Sequence, residues 1–300
     1  MYWRTLKLNK RQHRIELKTK YWIYVSILFA ILFVTTFFNW KFEVIAFNPF
    51  WEEGESELKV MTWNVHCSSG ADQIRQKKIA KLILKEDADL VLLNEFNLDS
   101  CLVIDSLLNM HYPYRNDANA KIKSGDIFYS KTQLLESDKF KKVIDNCIYS
   151  KLFIGKDSLY ILGCHLPGNN HEGQIEIDDA DSLRRVKTFW GHYRNAQEKR
   201  KDKAQFLKKT IQESTLPMIV LGDMNDFDAS APMDSLKEAG MKNAWWEGGF
   251  GYGATYHEGW LRLRIDHIYY NEKLKLMDVK VVKTDLSDHN ILIADFSIAK

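Results

Sequence analysis

The strongest constraint on the fold is the alternation, from residue 58 onward, of short apolar runs with segments of helical periodicity. Apolar runs bounded by turn residues are typical of buried strands. We therefore expect an α/β fold in which helices cover a sheeted core. The expected strands are 58–65, 89–93, 126–130, 148–154, 159–165, 218–221, 265–270, 277–283 and 291–296, and the expected helices are 73–86, 100–109, 194–213 and 233–239.

Polar side chains of catalytic type stand where these strands end or begin. They are Asn64, Glu95, His165, Asp223, Asn225, Asp266, Asp288 and His289. Taken singly, a strand-end Asn or Asp is usually a turn residue, and a single His is usually structural. Because one sheet edge brings strand ends together, we expect them to converge on one rim. Acids, amides and two histidines there have the donors for a metal site and an acid/base pair.

The N-terminal part of the chain contains an uncharged apolar segment, residues 21–40. A helix of that length spans about 30 Å, which matches the hydrocarbon core of a bilayer. Aromatic residues stand at both ends, as in the interfacial belts of membrane helices. They are Tyr21, Trp22, Tyr24, Phe37, Phe38 and Trp40. We therefore predict one transmembrane helix rather than a buried core helix.

The charges on either side of this segment predict its orientation. Seven basic residues and one acid precede it, and five glutamates, at 43, 52, 53, 55 and 57, follow it. The positive-inside rule then keeps the N-terminus cytoplasmic and places the remainder outside the cytoplasm, which is the periplasm if the source is a Gram-negative bacterium. The exit of the apolar run lacks the small residues of a signal-peptidase site, which favours an uncleaved anchor.

The predicted organisation is a basic leader (1–20), a transmembrane helix (21–40), an acidic linker (41–57) and one folded domain (58–300). The chain has 42 basic and 40 acidic residues. Seven of the basic residues and one of the acidic residues lie in residues 1–40, so residues 41–300 contain 35 basic and 39 acidic residues. A protein that grips nucleic acid usually has a basic footprint. This balance disfavours a tight or processive DNA binder.

Four cysteines, Cys67, Cys101, Cys147 and Cys164, are spread along the folded domain. Their spacing has no CxxC pair, which disfavours a zinc cluster. A core of this size does not need disulfide staples, so we expect unpaired, partly buried thiols. Disulfides in an exported domain are the alternative, and spacing does not give their connectivity.

Six motifs resemble, in the same order, those of the endonuclease/exonuclease/phosphatase superfamily of metal-dependent phosphoesterases. They are MTWNV at 61–65, LNE at 93–95, GCHL at 163–166, GDMN at 222–225, RIDHI at 264–268 and SDH at 287–289. The resemblance extends over residues 58–298. It implies a four-layer α/β/β/α sandwich with two central sheets, which agrees with the fold expected from periodicity.

The resemblance also implies a metal site. Glu95 is the main ligand by this reading, assisted by Asn64 and Asp288. Carboxylate and amide oxygens suit Mg²⁺, or Mn²⁺, with water and substrate phosphate as the remaining ligands. Two residues depart from the family pattern. The family often has Gln before the metal-binding Glu, where this chain has Asn94. Some nuclease members have an acid two residues after the first Asn, where this chain has His66. A second carboxylate at the metal is therefore left open.

By the same resemblance, five residues take part in catalysis. His289, held and polarised by Asp266, acts on the scissile phosphate as a base or a charge stabiliser. Asp223 and Asn225 orient the attacking water, and His165 contacts a phosphate oxygen. Water then attacks phosphorus in line while the metal neutralises charge. Whether Asp223 or His289 takes the proton stays open.

Two further segments each have two interpretations. The basic stretch 194–203 is interpreted as a solvated helix face rather than a surface for phosphate-rich partners. The Gly- and aromatic-rich segment 248–256 precedes the Asp266 strand. It either shapes the substrate pocket, with Tyr256 and Trp260 as stacking surfaces, or is a twisted edge loop.

Together these features predict a membrane-anchored, Mg²⁺-dependent phosphodiesterase or phosphatase. The phosphoester is a lipid, a small molecule or a nucleic acid; the acidic domain and the tether favour the first two. A tethered extracytoplasmic DNA or RNA nuclease is the alternative. A catalytically silent binding module is the alternative of another class, disfavoured because Glu95, Asp223 and His289 are present. The membrane, through residues 21–40, is the other expected partner, and no protein partner is inferred.

Overall fold

The computed structural model describes most of the folded domain and part of the N-terminal segment. The described residues are 21–22, 24–37, 39, 44–48, 55–67, 72–117, 125–135, 147–168, 182–259 and 261–299. The chain divides into two compact units, residues 1–44 and 45–300. The predicted leader, most of the predicted linker and Trp260 lie outside the described residues.

In the first unit, residues 24–37 form helix α1. Its large apolar side chains are exposed; Phe29 and Phe33, for example, have 67% and 73% of their surface accessible. Within the residues that the structure describes, no helix is both long enough and apolar enough to cross a bilayer. The membrane helix at 21–40 therefore stays a prediction.

The second unit contains two six-stranded mixed sheets. The first has the order β15-β16-β2-β3-β5-β4, with β2 at Leu58–Cys67, β3 at Leu90–Phe96, β4 at Tyr114–Asn116, β5 at Gly125–Ser130, β15 at Leu274–Val282 and β16 at Ile291–Ile298. The second has the order β10-β14-β9-β8-β7-β6, with β6 at Leu134–Leu135, β7 at Cys147–Ile154, β8 at Asp157–His165, β9 at Met218–Asp223, β10 at Met241–Asn243 and β14 at Asp266–Asn271.

Among the described residues of this unit there are also two small sheets and five helices. The small sheets pair β1 (Ala46–Phe47) with β11 (Phe250–Gly251) and β12 (Tyr256–Glu258) with β13 (Leu261–Leu263). The helices are α2 (Gln73–Glu86), α3 (Leu102–Asn109), α4 (Ser182–Gln212), α5 (Ala231–Glu238) and α6 (Ala244–Gly248). The α/β class predicted from the apolar periodicity is confirmed.

Three apolar clusters arrange these elements in layers. The largest joins the two sheets face to face, with side chains such as Leu92 and Phe128 from one and Leu221 from the other. A second cluster packs α2 and α3 on the outer face of the first sheet. The third packs α4 and α5 on the outer face of the second sheet. Burial of these faces supplies the main favourable free energy of folding.

Each large sheet contains a single parallel pair at its centre, β2 with β3 and β8 with β9. The neighbours β16 and β14 run antiparallel to them. The carboxyl ends of the four parallel strands and the amino ends of these two neighbours therefore meet at one rim. This topology places the polar residues of the six motifs together.

Local chemistry explains why α2 begins and ends where it does. The side chain of Asp72 accepts hydrogen bonds from the backbone N–H groups of Ile74 and Arg75 at the N-cap. Ile79 and Ile83 lie on the buried face, and Asp87 ends the helix with φ +53°. Helix α3 begins at Leu102 rather than at the predicted residue 100, and its N-cap Cys101 makes no side-chain hydrogen bond.

The expectation of four unpaired thiols is wrong for Cys67 and Cys101, which form a disulfide. Cys67 is the last residue of β2 and pairs with Phe96 at the end of β3. The short turn that follows β3 then brings Cys101, at the start of α3, back to the same place. The bond closes a loop of 34 residues by sequence separation, and no spacing rule had indicated it.

Candidate active site

Strand register brings the second sheet's three polar ends side by side. Asp223, the last residue of β9, pairs with His165 of β8 and with Asp266 of β14. Gly222 allows this close approach, because a Cβ there, at φ +133°, would lie 2.0 Å from the carbonyl oxygen of Cys164. In the first sheet, Asn64 of β2 and its register partner, Asn94 of β3, face this row.

Asp223 occupies the middle of the cluster. Its Oδ2 accepts a hydrogen bond from Asn64 Nδ2 at 3.1 Å. The Nε2 atoms of His165 and His289 each lie 3.8 Å from the same oxygen. Burial, followed by the nearby charge of Asp266, raises the pKa of Asp223 above its ordinary value. A positive charge beside it would offset that cost.

Glu95 is the more accessible carboxylate of the cluster, with a quarter of its side chain exposed. Its Oε1 accepts from Asn64 Nδ2 at 3.0 Å and lies 3.7 Å from His165 Nε2. The residue has φ +51°, a conformation that non-glycine residues adopt at some energetic cost and that is concentrated at functional sites. This backbone turns the carboxylate into the rim where β3 ends.

His289 is held by a buried carboxylate. Its Nδ1 lies 2.8 Å from Asp266 Oδ2, and Thr255 Oγ1 accepts a hydrogen bond from the backbone N–H of Asp266. Burial opposes protonation of His289, but the charges of Asp266 and Asp223 outweigh it and raise the pKa of the imidazole to about 10. The ring is therefore a cation at neutral pH in this arrangement.

The donor set fits a divalent cation. The ligand atoms of Glu95, His165 and Asp223 lie within 4.8 Å of one another, as do those of Asp223, Asp266 and His289. Asp266 Oδ1 is buried and has no hydrogen-bond partner among the described residues. Clustered carboxylates of this kind favour a hard cation such as Mg²⁺, which would polarise a phosphoryl oxygen.

Two of the three metal ligands implied by the family resemblance, Asn64 and Asp288, are not placed as metal ligands in the structure. Asn64 directs its Nδ2 to both Glu95 and Asp223 while its Oδ1 accepts from His66 N. Metal ligation through Oδ1 therefore needs that amide to turn. Asp288 lies 3.6 Å from His66 Nδ1. It belongs to neither of the two sets of candidate metal-binding side chains found among the described residues. Its role as a ligand stays a prediction.

Asn225 and Tyr256 border the cluster. The backbone N–H of Asn225 donates to Asp223 Oδ1 at 2.9 Å, and its side-chain amide donates to the carbonyl of Leu166. The Tyr256 ring lies edge-on to His289, with centroids 5.0 Å apart. Tyr256 therefore contacts a candidate catalytic side chain, as a stacking residue would need to.

A cleft of about 620 Å³ lies beside the Gly- and aromatic-rich segment. Its lining includes Trp245, Tyr252, His257, Arg262 and Lys283, and none of the residues that converge at the rim. The cleft is therefore separate from the reacting centre. Residues 250 and 252–254 of the segment line the cleft, and Tyr256 at the end of the segment contacts His289.

A buried network behind the rim was not predicted from the sequence. Arg200 of α4 is fully buried, and it donates from Nε to Asp226 Oδ2 at 3.0 Å and from Nη1 to the Pro167 carbonyl at 2.9 Å. Gln197 donates to the same carboxylate, and His267 Nε2 lies 2.9 Å from the Asp226 carbonyl. The network joins the loops after β8 and β9 to β14.

Asp126, at the start of β5, was also missed. It is buried, and its Oδ1 accepts from Asn94 Nδ2 at 2.7 Å, while Asn94 Oδ1 accepts from the backbone N–H of Asp223. Burial raises the pKa of Asp126 to about 7. Asp126 supports the site from beneath, and the only sequence signal for it was a charged residue in an otherwise apolar strand.

An α/β fold of two mixed sheets, with carboxylates, an amide and two histidines converging at one rim, defines a metal-dependent phosphoester hydrolase. Residues 61–289 match the model of the Endonuclease/Exonuclease/phosphatase family, and the chain belongs to this family. No curated protein sequence matches the chain significantly.

Solved structures agree on the fold. An endonuclease/exonuclease/phosphatase from Bacteroides vulgatus has a TM-score of 0.60 at 17% identity, covering 81% of this chain and 99% of that one. D. rerio TDP2 complexed with single strand DNA product has a TM-score of 0.59 at 16% identity, covering 80% and 98%. The mannosyl-6-phosphatase Bt3783 of Bacteroides thetaiotaomicron has a TM-score of 0.55 at 16% identity, covering 80% and 100%.

Proposed function

We propose that this protein is a membrane-anchored, Mg²⁺-dependent phosphoester hydrolase whose catalytic domain lies outside the cytoplasm. The observation that carries the proposal is the convergence of Glu95, Asp223, His165 and the Asp266–His289 pair at one rim. A bound divalent cation supplies charge neutralisation at the phosphoryl group. The remaining steps belong to side chains of this chain.

The geometry supports a division of labour among these side chains. Asp223 is in contact with both histidines and with Asn64, so it is placed to orient a water molecule and accept its proton. His289, flanked by two carboxylates, supplies positive charge to the phosphoryl oxygens. His165, only partly buried, approaches the same oxygens from the β8 side. Fixed charges of this kind stabilise the transition state without reorganisation.

Two features support the proposed location. Residues 21–40 have the length, the missing charge and the aromatic ends of a membrane helix. The disulfide between Cys67 and Cys101 suits an oxidising compartment, because structural disulfides are rare in the reducing cytosol. Both point to an exported domain behind an uncleaved anchor.

We propose a lipid or small phosphoester as the substrate. The excess of acidic over basic residues in 41–300 disfavours an extended hold on a polyanion, and a tether restricts the enzyme to substrates at the membrane. A tethered nuclease is the second candidate, favoured by the fold that the chain shares with D. rerio TDP2, which was crystallised with a DNA product. The two candidates differ in a direct assay.

The assay uses the full chain in detergent with Mg²⁺ or with EDTA. Substrates are bis-p-nitrophenyl phosphate, sphingomyelin, phosphoinositides, a sugar phosphate and plasmid DNA. We expect Mg²⁺-dependent turnover of a lipid or small phosphoester, with little DNA cleavage. Glu95→Ala and His289→Ala should abolish it, whereas Glu238→Ala and His111→Ala, exposed residues outside the rim, should not. Absence of metal-dependent turnover on every substrate would contradict the proposal.

Orientation is tested separately from activity. A phosphatase reporter that is active only outside the cytoplasm is fused after Lys300, and a second reporter that is active only in the cytoplasm is fused at the same point. We expect signal from the first fusion alone. Signal from the cytoplasmic reporter alone would refute the proposed topology without bearing on the chemistry.

A further inference from the structure

A second pair of cysteines lies across the two strands that lead to His165. Cys147 of β7 and Cys164 of β8 are direct partners in the antiparallel register. Both are present as thiols, with their Sγ atoms 2.6 Å apart. A disulfide bond is about 2.05 Å long, so the sulfurs are only about half an ångström from bonding distance.

We propose that Cys147 and Cys164 are a reversible disulfide site next to the catalytic rim. On oxidation an S–S bond replaces two S–H bonds, and two electrons and two protons pass to an oxidant. The oxidant is a disulfide, carried by a thiol oxidoreductase or a small molecule, and it leaves as two thiols. The presence of such an oxidant rests on the exported location proposed above.

The two sulfurs differ in access, which sets the order of the exchange. Cys147 is partly exposed and Cys164 is buried, so Cys147 attacks the incoming disulfide and Cys164 resolves the mixed disulfide. Burial raises the pKa of the Cys147 thiol well above its ordinary value. The thiolate fraction is therefore small at neutral pH, and the exchange accelerates as pH rises.

Position in the sheet predicts that the bond is readily reduced. Directly opposite residues of an antiparallel pair have Cβ atoms about 4.5–5.5 Å apart, whereas a disulfide prefers about 3.8 Å. Closing the bond therefore draws the two strands together and strains them. Strained disulfides have less negative reduction potentials than ordinary structural ones. Cys67 and Cys101 join a strand end to a helix start and carry no such cross-strand constraint.

The same strand carries a candidate catalytic residue. Cys164 immediately precedes His165, whose Nε2 lies within 3.8 Å of both Glu95 and Asp223. The carbonyl of Cys164 also lies 3.5 Å from Asn94 Nδ2. Drawing Cys164 toward β7 moves His165 with it, so oxidation should alter turnover.

Thiol mapping tests the bond directly. The full chain in detergent is equilibrated with oxidised glutathione, alkylated with N-ethylmaleimide under denaturing conditions and digested without reduction. Mass spectrometry should find one linked peptide containing Cys147 and Cys164 beside the Cys67–Cys101 peptide. Cys147→Ser and Cys164→Ser should each lose only the first link. Alkylation of both thiols while Cys67–Cys101 stays linked would overturn the proposal.

A redox titration tests reversibility and the effect on catalysis. Across a series of glutathione ratios, Cys147–Cys164 should open before Cys67–Cys101; the reverse order would refute the strained, reversible character. Turnover of bis-p-nitrophenyl phosphate should change by at least about twofold between the two forms, and Cys147→Ser should abolish the change. Equal turnover in both forms would refute the coupling to His165. The thiol mapping does not depend on enzymatic turnover, so its result tests the disulfide even if the proposed hydrolase function is wrong.

Discussion

Nδ1 of His289 lies 2.8 Å from Oδ2 of Asp266, and the opposite ring nitrogen faces Asp223 at 3.8 Å. The buried carboxylate therefore fixes which nitrogen is presented to the reacting centre. Asp266 is itself fixed by Thr255. The imidazole is thus positioned by residues that lie beneath the rim and need not touch substrate.

The first prediction concerns this pair. Asp266→Asn keeps the shape of the side chain but removes the charge that stabilises the imidazolium. We expect kcat/KM on a phosphodiester to fall by about a hundredfold or more, with the pKa of His289 dropping toward its ordinary range. The control is Asp105→Asn, which loses a carboxylate paired with Arg115 outside the rim. Full activity in Asp266→Asn would contradict this role.

The second prediction concerns metal affinity. Glu95→Gln preserves a hydrogen-bond acceptor for Asn64 but removes the most accessible charge of the cluster. We expect the Mg²⁺ concentration for half-maximal activity to rise by about tenfold or more, while EDTA silences both proteins and Mg²⁺ restores the wild type. Glu238→Gln, on the exposed surface, should leave the Mg²⁺ curve unchanged. An unshifted curve in Glu95→Gln would exclude it as a ligand.

The third prediction concerns Asp126 and pH. Its folded-state pKa is raised to about 7, so between about pH 4 and 7 the folded protein holds a proton that the unfolded chain has released. Stability therefore declines as pH rises through that window. Asp126→Asn removes the decline and should be more stable than the wild type by up to about 4 kcal/mol at pH 8, with a far smaller difference at pH 4. Denaturant unfolding at the two pH values measures this, and a constant difference would contradict it.

The fourth prediction concerns the buried network. Arg200→Met leaves Asp226 buried without its ion-pair partner, which should lower the free energy of unfolding by about 3–5 kcal/mol. Arg200→Met with Asp226→Leu should recover much of that loss, because no uncompensated charge is left. Lys208→Met, on the same helix but in an exposed pair with Glu238, is the control. A loss in Arg200→Met no greater than in the control would contradict the role of the network.

Long elements could be predicted from sequence because their periodicity is sustained. Helix α2 begins and ends at the predicted residues, 73 and 86. Short elements such as β10, β11 and α6 were missed, because two to five residues hold too little pattern for a period to emerge. Helix α4 begins at Ser182, twelve positions before the predicted start at residue 194.

The site was predicted only in part, for physical reasons that differ between residues. His165, Asp223, Asp266 and His289 end or begin strands, so motif and topology together bring them to one rim. Arg200 stood in a basic run interpreted as a solvated face, and burial of one arginine among exposed neighbours depends on tertiary contacts with Asp226 and Pro167. The Cys67–Cys101 bond likewise depends on a turn geometry that spacing does not encode.

The last strand of the chain has a consequence for how the enzyme is made. β16 lies between β15 and β2, and His289 lies two residues before its first residue. Until residues 289–298 have emerged, β2 has an open edge and Asp266 has no imidazole to hold. The reacting centre thus forms only after contacts between strands that are far apart in the sequence have closed. A chain that has not yet folded around β16 therefore has no assembled site and hydrolyses no phosphoester.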